Sequence, residues 1–128
     1  MKNILYNMFV NIKNGQIAQR SFVYQPKTKA CVAFLNILWN EGFILGYKFS
    51  KSNPGVLKIF LKYRNGNPVI NSLKLVSKPT HRIYYSASQL WKLDFRKGVV
   101  VVTTVKGLMT ISECKKLKIG GEPLLIIK

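Results

Sequence analysis

The apolar positions in the first forty residues recur at helical spacing in two segments. Residues 3–14 form the first amphipathic pattern, and the Asn14-Gly15 pair predicts the end of that helix. Residues 27–40 form the second pattern, with Gly42 just beyond its end. Each helix is expected to bury one face against the rest of the chain. The apolar positions of these two faces are Ile4, Leu5, Met8, Phe9, Ile12, Ala30, Cys31, Phe34, Leu35, Leu38 and Trp39.

Short segments rich in aromatic and β-branched residues predict strands around these helices. Residues 21–25 form one such segment, which Pro26 ends. Residues 43–49 and 56–63 alternate with period two on either side of a turn-rich segment, which predicts a hairpin. The first half of the chain therefore predicts an α/β lobe with the order α-β-α-β-β.

The segment Asn65-Gly66-Asn67-Pro68 interrupts this pattern, and strands dominate after it. We therefore expect an α+β protein made of two small lobes. Residues 1–67 are the α/β amino-terminal lobe, and residues 68–128 are a mostly β carboxy-terminal lobe with short helices. The strands predicted in the second lobe are 69–77, 81–85, 98–104 and 123–127, and its short helices are 88–93 and 111–118.

Positive charge is the dominant feature of the composition. Lysine and arginine number 21 against 4 aspartates and glutamates, so the formal net charge is +17. Because 48% of the residues are hydrophobic, the chain has enough apolar material to fold. The basic residues are spread along the chain rather than gathered in one tail. This distribution favours an RNA or DNA partner over a single amphipathic membrane helix. No apolar run approaches the ~18 residues of a membrane span, and no secretory or transit segment is evident.

The residues that usually perform catalysis are scarce. Glu41, Asp94, Glu113 and Glu122 are scattered, and His81 is the only histidine. No metal-ligand spacing or phosphate-binding glycine loop occurs, so we expect no enzyme, no metal, no cofactor and no small-molecule substrate. The two cysteines are too few for a disulfide framework and are expected to be buried free thiols in a reducing compartment.

The segment 98–110 joins an apolar strand to hydroxyl residues, a base and a glycine. Hydroxyls of Thr103 and Thr104 can bond to phosphate or ribose oxygens, Lys106 can contact a phosphate, and Gly107 lets a ligand approach the backbone. The same residues are also ordinary in a strand followed by a turn. Composition alone leaves both interpretations open and favours the structural one.

At these residues the chain resembles the bacterial-type small-subunit ribosomal protein eight family. The family hallmark is filled by Gly98, Val101-Val102, Thr103-Thr104, Gly107 and Leu108-Met109. Four further matches follow the same order along nearly the whole chain. They are Asn11-Ile12-Lys13-Asn14-Gly15, Glu41-Gly42-Phe43-Ile44, Ser77-Lys78-Pro79 with Arg82-Ile83-Tyr84, and Ile119-Gly120-Gly121-Glu122.

The resemblance implies a two-lobe protein that binds the central domain of small-subunit rRNA early in assembly, next to other small-subunit proteins. It implies that the loop around Lys106 contacts the RNA, with Tyr84 and Arg82 beside it. Glu122 is expected to orient Lys106 or to accept from a base amino group, or else only to cap a turn. The residues expected to contact RNA are Lys13, Asn14, Lys27, Lys29, Lys78, Arg82, Tyr84, Thr103, Thr104, Lys106, Gly107 and Glu122.

Departures from the family pattern indicate a particular branch. Val105 stands where the family usually has Ser, so one hydroxyl contact is expected to be lost and the position to pack instead. Thr80-His81 replaces a Gly-Leu pair, and residues 111–115 also differ from the usual sequence. This drift, with heavy use of Ile, Lys, Asn, Phe and Tyr and no expected presequence, favours an organelle-encoded mitochondrial member over a plastid or bacterial cytoplasmic one.

Two other functions share some of these features. A free-standing RNA-binding translational regulator would carry every motif and differ only in not sedimenting with ribosomes. An RNA-processing nuclease would need a metal or an acid/base pair, which the four scattered carboxylates do not favour.

Overall fold

A computed structural model describes residues 2–75, 84–92 and 98–128 of the chain. They form two compact units, which meet along the chain between Val69 and Ile70. Each unit combines helices with antiparallel sheet, so the predicted α+β class is confirmed. Within the described part of the chain, no helix is long and apolar enough to cross a bilayer.

The first unit packs two helices on one face of a three-stranded antiparallel sheet of order β1-β3-β2. The Thr28 hydroxyl accepts from the Cys31 N–H and so caps the second helix, and Gly42 follows that helix with a φ of 79°. The rings of Phe9 and Phe34 join the two helices at 4.7 Å. The elements are α1 Lys2–Ile17, β1 Phe22–Pro26, α2 Lys29–Asn40, β2 Ile44–Phe49, β3 Val56–Leu61 and a small hairpin of β4 Tyr63–Arg64 and β5 Asn67–Pro68.

The predicted end of α1 at Asn14-Gly15 is wrong, because the helix continues to Ile17. Gly15 allows the helix to pack closely on the sheet and does not end the helix. A Cβ at this position would lie only 2.4 Å from Val23 Cγ1, so glycine allows α1 to approach β1 closely. The left-handed residue after the helix is Gln19, with a φ of 57°.

The second unit is built on a four-stranded antiparallel sheet of order β6-β9-β7-β8. Two short helices pack against each other, and the core they share with the sheet centres on Leu90, Val100, Val102, Met109 and Cys114. Cys114 and Cys31 are both free and buried, as predicted. The elements are β6 Leu73–Leu75, α3 Ala87–Lys92, β7 Val99–Thr104, β8 Gly107–Thr110, α4 Ile111–Leu117 and β9 Glu122–Ile127.

The strands of this unit differ from the prediction in three places. Of the strand predicted at 69–77, the described part forms a strand only at Leu73–Leu75, and residues 76–77 lie outside the described residues. Of the strand at 81–85, only Tyr85 forms a bridge, to Gly121, while 81–83 lie outside the described residues. Residues 107–110, expected as a loop, form β8 because they pair with the end of β7.

Candidate nucleic-acid interface

The hallmark segment forms a tight hairpin at the end of the β7–β8 ladder. Thr104 pairs with Gly107, and Val105 and Lys106 form the turn between them. Lys106 is exposed at this turn. Gly107 has a positive φ of 108°, whereas the φ angles of Val105 and Lys106 are not positive. A turn closed by a glycine of this kind is a common hairpin loop, so the sequence Val-Lys-Gly suits the fold locally.

The Thr104 side chain fixes the shape of this turn. Its Oγ1 accepts a hydrogen bond from the Lys106 N–H at 3.1 Å and donates one to the Gly107 carbonyl oxygen at 2.9 Å. A hydroxyl has a single proton, and Thr104 has committed it to Gly107. Thr104 therefore has acceptor capacity for a ligand's hydroxyl or amino group, and no proton left to donate to a phosphate.

Gly107 and Val105 occupy the open side of the turn. No atom lies within 4 Å of the position that a Cβ of Gly107 would take, so backbone conformation and not crowding requires glycine here. The expectation that Val105 packs instead of contacting ligand is wrong, because its side chain is 92% exposed. The turn points this apolar side chain outward, where it can only meet a partner or solvent.

Tyr84 is placed beside the hairpin through its neighbour Tyr85. Tyr85 exchanges two backbone hydrogen bonds of 2.9 Å with Gly121, and its ring packs on the core of the unit. Adjacent side chains of an extended segment point to opposite sides, so Tyr84 points outward, and it is 66% exposed. A free tyrosine face of this kind suits stacking on a base.

The Gly120-Gly121 pair makes this arrangement possible. A Cβ on Gly121 would lie 2.6 Å from the Thr103 carbonyl oxygen, and one on Gly120 would lie 2.4 Å from that of Tyr85. Three backbone segments therefore approach one another without intervening side chains. The sequence marks these glycines as a family match and as a turn before the last strand. Their role in close backbone approach was not predicted, although a glycine next to a strand can signal such an approach.

Glu122 opens β9 directly opposite Thr103. Thr103 pairs on its other side with Leu108, so one row of residues crosses three strands at the hairpin end of the sheet. Thr103 and Glu122 are both half-buried. The structure thus brings Tyr84, Thr103, Thr104, Lys106, Gly107 and Glu122 to one end of the second unit.

A basic helix adds to the positive charge of this unit. Helix α4 follows β8 directly, is capped by the Thr110 hydroxyl, and carries Lys115 and Lys116 in its last turn. Lys118, with a φ of 56°, ends the helix. Burial, reinforced by the nearby Glu113 carboxylate, raises the pKa of the Cys114 thiol, which keeps this thiol neutral and unreactive in the core.

The remaining predicted residues belong to the first unit or lie outside the described residues. Lys13 and Asn14 are exposed on α1, and Lys27 and Lys29 are exposed on either side of the Thr28 cap of α2. The predicted contacts Lys78 and Arg82 lie outside the described residues, as do His81 and Asp94.

The geometry of the second unit is that of a surface for a polyanion. An exposed lysine stands at a hydrogen-bonded turn, a tyrosine face and hydroxyl acceptors lie beside it, and a basic helix follows. In the described part of the chain, no group of three or more histidine, cysteine, aspartate or glutamate side chains is placed to hold a metal ion. Fold and site together define a protein of the basic, RNA-binding class.

Comparison with known proteins places the chain in one family. The model of the family "Ribosomal protein S8" matches residues 3–127, so the chain belongs to the ribosomal protein S8 family. It is 39% identical to the small ribosomal subunit protein uS8 of Hahella chejuensis, over 99% of this chain and 98% of that protein. It is 41% identical to the protein of the same name from Stutzerimonas stutzeri, over the same shares, and 42% identical to that of Pelagibacter ubique, over 91% of this chain and 89% of the relative.

Proposed function

We propose that this chain is a structural constituent of a small ribosomal subunit, in which it binds small-subunit rRNA. It is a ribosomal protein and not an enzyme. The observation that carries the RNA-binding assignment is the β7–β8 turn, which presents Lys106 from a backbone hydrogen-bonded to the Thr104 hydroxyl. The net charge of +17 gives this turn the electrostatic background that a phosphate-rich partner requires.

Some of the proposed contacts position the RNA backbone, and others recognise its bases and 2′-hydroxyl groups. The Lys106 ammonium pairs with a backbone phosphate, and the Tyr84 ring stacks on an unpaired base. Thr104 accepts from a 2′-hydroxyl, which distinguishes RNA from DNA. Glu122, opposite Thr103 at the same end of the sheet, accepts from a base amino group or orients Lys106.

The finer assignments are the RNA region, the lobe and the compartment. We propose that the carboxy-terminal lobe, residues 68–128, binds the central domain of the rRNA and that neighbouring small-subunit proteins join afterwards. The departures at Val105 and in 111–115, with the composition typical of an A/T-rich genome, support an organelle-encoded mitochondrial protein. A G/C-rich nuclear gene with an upstream presequence would contradict this origin.

The proposed contacts are tested by equilibrium binding of the full chain to a small-subunit rRNA transcript over a range of salt concentrations. Lys106→Ala should make the negative slope of log K against log salt less steep by about 0.7–0.9, because one phosphate contact is lost. Tyr84→Ala should weaken binding at fixed salt by about 1–3 kcal/mol and leave the slope unchanged, since a stacked base carries no charge.

Lys51→Ala is the matched control, because Lys51 is an exposed lysine in the β2–β3 loop of the other unit. Its slope should equal that of the unaltered chain. If Lys106→Ala and Lys51→Ala change the slope equally, the hairpin turn has no special contact with RNA and the assignment of Lys106 is wrong.

A further inference from the structure

The three-stranded sheet of the first unit has a second face, opposite its helices, whose residues were not among the predicted contacts. Its helix-facing side is lined by buried residues such as Val23, Leu57 and Ile59. Side chains that alternate with these lie on the opposite face. Strand register sets them in cross-strand pairs there, namely Phe22 with Phe60, Tyr24 with Lys58, and Lys48 with Lys58.

Lysine ammonium groups on this face are held over aromatic rings. The Lys58 Nζ lies 4.0 Å from the centre of the Phe22 ring and 5.4 Å from that of Phe60. The Lys48 Nζ lies 5.6 Å from the centre of the Phe60 ring. Cation–π attraction therefore fixes two positive charges close to the sheet surface.

These two charges also repel each other. Lys48 and Lys58 are directly opposite on neighbouring strands, and like charges in that position destabilise a sheet. The only carboxylate in the sequence of residues 1–69 is Glu41, which lies at the end of α2. An anion placed between the two lysines would relieve the repulsion.

An exposed aromatic ring and a cleft adjoin this charge pair. Tyr24 is 55% exposed and packs edge-on against Phe22 with 5.3 Å between ring centres. A cleft of about 500 Å³ at the edge of β1 is lined by Arg20, Asn11 and Gln19 together with Phe22 and Tyr24. A base placed there would find a ring to stack on, with amide groups and a guanidinium nearby.

We propose that this face, defined by Phe22, Tyr24, Lys48, Lys58 and Phe60, is a second RNA-binding surface. A phosphate of a single-stranded or looped segment lies between Lys48 and Lys58, and a neighbouring unstacked base lies on Tyr24. RNA satisfies both halves of the surface at once, because it supplies anionic groups and flat bases in alternation. The inference rests on the proposed function, since it assigns a second contact with the same class of ligand.

The test uses the full chain and the same small-subunit rRNA transcript over a salt series. The double variant Lys48→Gln, Lys58→Gln should make the negative slope of log K against log salt less steep by about 0.7–0.9, because the one phosphate between the two lysines is no longer neutralised. Its midpoint of thermal unfolding should change little, because the lost cation–π contacts and the relieved like-charge repulsion offset each other. Weaker binding at an unchanged midpoint distinguishes a ligand contact from damage to the fold.

Tyr24→Leu should weaken binding about tenfold without a change in slope, whereas Tyr24→Phe should bind like the unaltered chain. Lys51→Gln, a lysine of the adjacent β2–β3 loop, is the control for general loss of charge and should leave the slope unchanged. An equal loss of slope in Lys51→Gln and in each sheet-face lysine would overturn the proposal.

Failure of this inference can be told apart from failure of the proposed function. If the double variant binds as the unaltered chain does while Lys106→Ala is impaired, the sheet face is not an RNA surface and the proposed function stands. If the double variant binds RNA normally but is lost from assembled subunits, the sheet face contacts a protein partner and not RNA. The proposed function stands in that case too. If the unaltered chain does not bind the transcript, both are wrong.

Discussion

Single residues in the hairpin turn have roles that only the hydrogen-bonding pattern reveals. The sequence around Thr103-Thr104 predicted hydroxyl contacts with RNA, and the strand that precedes the turn was also predicted. The sequence did not reveal that the Thr104 proton is donated to Gly107, which decides the direction of any contact. Nor did it reveal that Val105 is exposed, because an apolar residue in a turn carries no sign of which way it points.

Thr104 provides a test at this scale. Thr104→Val keeps the side-chain shape and removes both hydrogen bonds that shape the turn, so it should lower the free energy of unfolding by about 1 kcal/mol. It should also weaken rRNA binding, because the Lys106 backbone is no longer held in place. Denaturant unfolding and equilibrium binding at fixed salt measure the two effects.

Thr104→Ser is the matched variant, since it keeps the hydroxyl. We expect it to retain most of the stability and affinity that Thr104→Val loses. If the valine variant equals the unaltered chain in both measurements, the hydroxyl does not organise the turn.

At the scale of elements, hydrophobic periodicity predicted the helices and most strands but misplaced several boundaries. The 3.6-residue pattern located α1 and α2 correctly, since apolar positions such as Met8 and Phe34 are buried. Trp39, which was expected on the buried face of α2, is instead 53% exposed. The end of α1 was misplaced because a glycine signals either a helix stop or a close approach, and sequence does not separate the two. Strand β8 was missed because its four residues become a strand only by pairing with β7.

Gly15 tests the packing explanation. Gly15→Ala improves helix propensity by up to about 1 kcal/mol, yet its Cβ would collide with Val23. We expect a net loss of about 1–3 kcal/mol in the free energy of unfolding, as for other overpacked cores. The measurement is denaturant unfolding of Gly15→Ala, of Val23→Ala and of the variant that carries both. Together with the unaltered chain, these form a double-mutant cycle.

The cycle should be non-additive by more than about 0.5 kcal/mol, because removing the Val23 methyl groups relieves the collision. Asn14→Ala, at the preceding exposed position of the same helix, should be neutral or slightly stabilising. If Gly15→Ala is also stabilising, the close approach of α1 to β1 does not explain this glycine.

At the scale of the whole molecule, charge predicted the partner class and collinear motifs predicted the family. The basic residues occur in both units, and the family match covers residues 3–127. Sequence could not locate the second sheet face, because Lys48 and Lys58 are separated by ten positions and meet only through the register of β2 and β3. Charge indicates the kind of ligand, while strand pairing determines which side chains lie together on one surface.

The most direct test of the central claim is sedimentation of a tagged full-length chain through a gradient after a high-salt wash, with sequencing of the RNA cross-linked to it. We predict that the chain migrates with the small ribosomal subunit and that its cross-links map to small-subunit rRNA, concentrated in the central domain. A chain that stays at the top of the gradient, bound to messenger RNA or to no RNA, would contradict its role as a constituent of the subunit.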